Sequence, residues 1–462
     1  MKDSSNSVNR SSVSKLIYAL LILMVFSSSC SQSAKQDGWE DLFDGKTLNG
    51  WKVLAGEAKF DAVEGEIVGT TVMNTGNTFL VTEKEYGDFV LELEIKVEDP
   101  AGNSGVQTRS HYDPAGNKNK GKVYGRQVEL DPTDRRWTGG IYDEGRRNWL
   151  YPLTLHPEAQ NAYKAGEYNH IKVECIGDEM KTWVNGIPTA HLIDTIDSSG
   201  FIALQVHAIY KEENIGKKVH FRNIRIKTEN LEPEPFPDGI FMVNTKPNDL
   251  SDYEKRNGWS LLFDGKSAQG WTGAGKPFPA DGWTVKDGIL TVLSTKEAHS
   301  KGGPILTEKQ FGPFDFSFEF RITPGANSGV KYLVTLTDDA KPTIIGLEYQ
   351  IYDDRAHPGT PANTTMASLY ELVPAEIQSR FLKPAGQWNT GRIVLFPDKR
   401  VEHYLNGIKV LECTRGTQEF RDLVAKSKFK KYENYGEGNQ GYILLQEHND
   451  EVSFRSLKIK EL

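Results

Sequence analysis

Residues 314–322 read Phe-Asp-Phe-Ser-Phe-Glu-Phe-Arg-Ile, apolar at every second position with polar residues between. A period of two places one face on a core and the other toward water, so the stretch predicts a strand. WVNGI (183–187) and YLNGI (404–408) set Asn-Gly between apolar runs. That pair predicts tight hairpins, because both residues accept positive φ. Several such strands and turns recur in each half, which predicts an all-β protein of the sandwich or jelly-roll type. Helical patterning is confined to AEIQSR (375–380) and RDLVAKSKF (421–429).

The same pattern occurs twice. GWEDLFDGKTLNGWK (38–52) matches GWSLLFDGKSAQGWT (258–272), with Gly, Trp, LFDGK, Gly and Trp in register. Residues 86–110 match 311–334 through a shared Asn-Ser-Gly, and 166–192 match 386–413. GFIALQVH (200–207) matches GYILLQEH (441–448), and both halves close with Val-x-Phe-Arg-x-x-x-Ile. The chain therefore divides into a leader (1–30), a first domain (38–228), a linker rich in Pro and acidic residues (229–256) and a second domain (257–462). LFDGK itself reads as structural: its Leu and Phe suit a core and its Asp-Gly suits a turn.

Size and composition fit this division. A chain of 462 residues is too long for one ordinary core, and 38% hydrophobic with 10% aromatic residues is enough to pack two. A net charge of −8 offers no broad basic surface, which argues against nucleic acid as a partner. Lys2, Arg10 and Lys15 precede LIYALLILMVF (16–26), and SSSC ends at Cys30. This is a charged region, a short apolar run and small residues before a cysteine, the order of a lipoprotein signal. Ser27 stands where Leu is usual. Cys30 is the expected lipidation site, and the expected location is periplasmic or outer-membrane-associated. Cys175 and Cys413 belong to no CxxC pair and are expected to be free, with an interdomain disulfide as the other reading.

Candidate chemistry sits at matched places in the two halves. After Asn-Ser-Gly come Gln107 and Arg109 in the first half and Lys331 in the second. GRQVELD (125–131) places Gln127, Glu129 and Asp131 on one strand face. GLEYQIYDD (346–354) answers with Glu348, Gln350 and Asp353, the acid and amide exchanged. Such a row can bind sugar hydroxyls, hold a divalent cation or supply a base, or it is only a solvated face. Tyr142 and Asp143 match Tyr370 and Glu371, and the first half adds Glu144, Arg146 and Arg147. Gln205 and His207 match Gln446 and His448. A strand histidine is commonly structural, but its neutral ring also suits proton abstraction near neutral pH. No GxSxG elbow, HExxH helix, phosphate loop or dinucleotide fingerprint is present at a strand–turn–helix junction.

Together these motifs resemble the 3-keto-disaccharide (3-keto-glycoside) hydrolase family, over both halves. The resemblance implies two tandem concanavalin A-like jelly rolls and breakdown of glycans outside the cytoplasm. It also implies a partner oxidoreductase that first converts a sugar C3 hydroxyl to a ketone. That ketone acidifies the C2 proton, so the C1 substituent can leave by elimination and water can add afterwards. The chemistry needs a base, an enolate stabiliser and an acid. By residue type, His207 or His448 is the candidate base, with Glu129 and Glu348 as alternatives. Arg109, Lys331 or a bound cation would stabilise the enolate, and Asp143 or Glu371 would protonate the leaving group. Gln127, Asp131, Tyr142, Gln205, Gln350, Asp353, Tyr370 and Gln446 would bind substrate. Two readings compete: a non-catalytic carbohydrate-binding protein, and a glycosidase using paired carboxylates.

Overall fold

The computed structural model describes Met1 and residues 38–100, 102–294, 302–337 and 343–462; the lipidation site expected at Cys30 lies outside them. Alternation becomes architecture directly. Phe314, Phe316, Phe318, Phe320 and Ile322 are all buried in one core, while Asp315, on the opposite face, pairs with Arg392 at 2.6 Å. Each half is a sandwich of two sheets. The first packs a nine-stranded sheet against a seven-stranded one, and the second packs an eight-stranded against a five-stranded one. Inward residues of both sheets interdigitate: Leu91, Leu93 and Ile95 from one, Val106, Val128 and Leu204 from the other. The chain thus forms two tandem jelly rolls. Among the described residues no helix is long and apolar enough to cross a membrane.

Turn chemistry acts as expected. Asn185 and Gly186, and Asn406 and Gly407, all take positive φ at the tips of their hairpins. In both LFDGK motifs the aspartate closes the turn. Asp44 accepts from the Lys46 and Thr47 amides, and Asp264 from those of Lys266 and Ser267. The following tryptophans donate back to the carbonyls of Leu42 and Leu262 at 2.7 and 2.6 Å. The motif is a repeated brace at the sandwich edge.

The helix expected at 375–380 does not form. Pro374 and Pro384 bracket the segment, and Ala375 and Ile377 pack on the second core at every second position, a strand-like period. Only a 3-10 turn follows, Ser379–Phe381. The other helix runs Gln418–Lys426, capped by Thr417, whose side chain accepts from the Phe420 amide. Cys175 and Cys413 are free.

The segment between the domains is folded. Phe236, Met242 and Tyr253 bury against Trp183 and Ile193 of the first sandwich. Val243–Asn244 adds a parallel edge strand to Ile187–Ile193. Ser251 and Glu254 form a capping box on helix Asp252–Arg256, and Glu254 pairs with Lys458 of the second sandwich at 2.8 Å. The domains also touch directly. Thr154 donates to the Gly407 carbonyl at 2.6 Å, and Val394 and Tyr404 join the first core.

Candidate functional site

The outer face of the seven-stranded sheet carries the candidate residues of the first half. Strand Ser104–Asp113 lies between Lys122–Leu130 and Gly200–Val206, with Gln107 opposite both Gln127 and Ala203. Val106, Val128 and Leu204 point into the core, so Gln107, Gln127, Glu129 and Gln205 point away from it together. Tyr142 stands opposite Gln127 on the next strand. The Asn-Ser-Gly motif has its reason here. A Cβ on Gly105 would lie 2.3 Å from Cδ of Gln127, so only glycine lets that amide lie across the strand.

The amides form one directed chain. Ser110 donates to Gln107 Oε1 at 2.7 Å, Gln107 Nε2 to Gln127 Oε1 at 2.8 Å, and Gln127 Nε2 to Glu129 Oε2 at 3.0 Å. Asn103 Nδ2 donates to Glu129 Oε1 at 2.7 Å, and the Arg135 guanidinium lies 3.5 Å from the same oxygen. Burial nevertheless outweighs these donors and raises the Glu129 carboxyl to about 7. Near neutrality it can either give or take a proton.

Three further candidate groups belong to neighbouring strands of the same sheet. His207 follows Gln205 at the end of its strand, and its Nδ1 lies 2.7 Å from the Ala208 carbonyl. A carbonyl only accepts, so Nδ1 carries the proton and Nε2 keeps its lone pair. Burial holds the ring below the ordinary histidine range and therefore neutral, and Arg135 acts in the same direction. A cavity of about 330 Å³ opens beside His207 and Asn103. The Gln205 amide is buried, and neither its oxygen nor its nitrogen has a partner among the described residues. Burial raises Tyr142 to about 12, helped by Glu144 and Glu129, and its hydroxyl donates to Asn148 at 3.1 Å.

Two expected members stand elsewhere. Arg109 sits in a β-bulge with φ +45°, which turns its side chain off the face. Buried there, it bonds the Gly87 and Gly177 carbonyls and Asp88. Asp143 alternates with Tyr142 and so points to the opposite side. It is fully buried and held by Arg146 at 2.8 Å and by Arg147, which also pair with Asp197 and Asp194. The two guanidiniums thus hold it away from the face that carries Glu129. Asp131 is a positioning residue: it accepts from Arg135 Nε at 2.5 Å.

Arg135 and Asn103 are the members sequence reading missed. Asn103 lay inside the quoted Asn-Ser-Gly, and Arg135 stands four residues beyond Asp131, a spacing that pairs charges across a turn. Arg135 is further held over the Trp137 and Trp149 rings, at 4.6 and 5.1 Å.

The second half repeats the layout with altered chemistry. Gly329 lies under Glu348 as Gly105 lies under Gln127, with 2.3 Å from a Cβ to Oε1. Gln350 donates to Asn327 at 3.0 Å, reversing the sense of the Asn103–Glu129 bond because an amide can donate where a carboxylate only accepts. Burial raises Glu348, while Lys331 at 3.3 Å, Lys428 and His448 oppose it. Lys428 donates to the Tyr370 hydroxyl at 3.0 Å and lies 3.7 Å from Glu371. Gln446 keeps one buried oxygen without a partner. His448 is exposed, and Asp353 turns away to accept from the Gly325 amide at 2.8 Å. Among the described residues no three His, Cys, Asp or Glu side chains converge as metal ligands. Glu129 and Asp131 share Arg135 and Glu348 takes Lys331, so each carboxylate has a protein cation beside it.

Each half is similar to known proteins. Residues 38–227 and 258–460 each match the model of a family described as the 3-keto-alpha-glucoside-1,2-lyase-like domain. A 3-keto-disaccharide hydrolase of Bacteroides thetaiotaomicron is 33% identical over 232 residues, covering 45% of this chain and 79% of that protein. A crystal structure from Parabacteroides distasonis, provisionally assigned as a glycosyl hydrolase, is 28% identical. It covers 47% of this chain and 100% of its own, with a TM-score of 0.42.

Proposed function

Since the chain belongs to the 3-keto-alpha-glucoside-1,2-lyase-like family, we propose that it cleaves 3-keto-glycosides by elimination across C1–C2, and that the first half carries the reaction. The carrying observation is Glu129, a buried carboxyl near pKa 7 at the end of a directed amide chain, with Asn103 linking it to the His207 cavity. His207 Nε2 takes the C2 proton, and Arg135 stabilises the negative charge that develops on the C3 oxygen. The C1–O bond breaks with its electron pair on the leaving oxygen, which receives the Glu129 proton. Water then adds across the C1=C2 bond of the enone. Its oxygen goes to C1 and its proton to Glu129, while the histidine, its proton exchanged with solvent in the meantime, protonates C2. Gln205, Gln127 and Tyr142 hold sugar hydroxyls.

The second half is the binding copy. Its carboxylate is engaged by Lys331 and its histidine is exposed, so it offers hydrogen bonds to a glycan without the half-buried histidine of the first copy. The mature protein is an exported lipoprotein anchored through Cys30, and a sugar C3-oxidoreductase supplies its substrate.

The decisive assay offers a glucoside and its 3-keto derivative in heavy water. Cleavage of the keto form alone, with one deuterium at C2 of the released sugar, is expected. Cleavage of the unoxidised glucoside, or release without C2 deuterium, would sink the elimination reading. Binding of both without cleavage would leave a lectin.

A further inference from the structure

A larger cleft, about 570 Å³, lies between the two sandwiches; Glu129, Gln205 and His207 are not among its walls. That volume lies in the usual range of small-molecule sites. Its charges are almost all neutralised in place. Arg147 pairs with Asp194 at 2.8 Å, Arg455 with Glu319 at 2.9 Å, Arg392 with Asp315 at 2.6 Å and Lys458 with Glu254 at 2.8 Å. Lys383 is the exception: no carboxylate lies within ion-pair distance of its ammonium among the described residues. Burial holds it below the ordinary lysine range, Arg147 and Arg455 act in the same direction, and Glu319 opposes them.

The walls around Lys383 resemble a sugar site. Partly exposed indoles line it: Trp149 from the first sandwich, with Arg135 over its ring, and Trp259 and Trp388 from the second, with Arg321 and Arg455 over the Trp388 ring. Aromatic faces of this kind pack against the C–H faces of pyranose rings. Among the described residues, the Ser317 and Thr390 hydroxyls and the Gln387 amide also line the cleft without a hydrogen-bond partner. Polar groups with free valences, aromatic walls and one uncompensated cation call for a polyhydroxylated ligand that carries an anion.

We propose that this interdomain cleft is a second ligand site, taking an acidic saccharide whose carboxylate pairs with Lys383. The site spans both domains and so requires the duplication. It does not depend on the reaction assigned to the first half.

Calorimetric titration of the full chain tests it, with a glucuronyl disaccharide, the glucosyl disaccharide of the same linkage and inorganic sulfate as probes. The glucuronyl disaccharide should bind at least about tenfold more tightly than either other probe, and more weakly as salt rises. Lys383→Gln should weaken it about tenfold or more, and Lys383→Arg should restore it. Thr390→Trp, which fills the cleft without changing charge, should abolish binding, whereas Glu129→Gln should leave it unchanged. Equal binding of the neutral disaccharide, undiminished binding by Lys383→Gln or by Thr390→Trp, or loss in Glu129→Gln would each overturn the proposal. Sulfate binding as tightly as the disaccharide would also overturn it, leaving an anion site alone.

Discussion

Glu129 and Asp143 are both buried carboxyls, yet their surroundings assign them opposite work. Asp143 is held by two guanidiniums, so removing it leaves buried positive charge unbalanced. Asp143→Ala should therefore cost about 3–5 kcal/mol of stability, read from the denaturation midpoint. Glu129 is raised to about 7 from an ordinary 4.5. Its carboxyl holds a proton more tightly in the folded chain than in the unfolded one. Stability should consequently fall as pH rises between those two values and stay lower above them. Glu129→Gln removes that penalty. Above pH 7 the variant should be more stable than the parent by on the order of 2–3 kcal/mol, and in acid the two should converge. The same change should lower kcat on a 3-keto-glucoside by roughly 10²–10⁴, the usual contribution of a positioned acid or base. A variant equally active, or no more stable at alkaline pH, would count against the assigned role.

At the scale of elements, the Asn-Ser-Gly strand gives the sharpest test. Gly105→Ala would drive a methyl into Gln127 and break the chain of amides that ends on Glu129. A stability loss of about 1–3 kcal/mol is expected, together with a fall in kcat. Gly329→Ala makes the equivalent collision with Glu348. It should cost similar stability but leave kcat near the parent value, since the proposed reaction belongs to the first half. Steady-state kinetics on the two variants separate the halves, and equal loss of kcat in both would show both to be reactive. The polar face was legible because strand alternation is local: Gln127, Glu129 and Gln205 could be placed on it from the sequence. Arg109 could not, because a bulge with positive φ breaks the period that the reading relied on. Leu333 sits in the matching bulge of the second half, at φ +51°. The misread segment 375–380 has the same lesson, since its apolar spacing suits an extended chain between prolines as well as a helical turn.

For the whole molecule, the second hairpin tip seats on the first domain, so the two sandwiches should unfold as one body. Gly407 is tight there: a Cβ would lie 2.9 Å from the Pro152 ring, and its carbonyl receives Thr154. Gly407→Ala should loosen that contact. Scanning calorimetry should show one unfolding transition in the parent and two in the variant. Two transitions in the parent would refute the single body. Phe381 of the second domain lies 6.1 Å from Trp137 of the first, so the same docking brings the Arg380 segment toward Arg135 and Tyr142.

Sequence alone determined the duplication, the β class, the hairpin turns, the bracing role of LFDGK and the polar face of each half. Those features depend on residues close along the chain, where period and turn chemistry act directly. Tertiary structure alone decided which carboxyl burial raises and which two guanidiniums clamp. It brought Arg135 to Glu129, turned Arg109 away, gave Asp143 to a salt-bridge network and left Lys383 uncompensated between the domains. Each of those outcomes is set by burial and by charges brought together from distant segments. The desolvation that tunes an ionisable group exists only once the chain has closed around it.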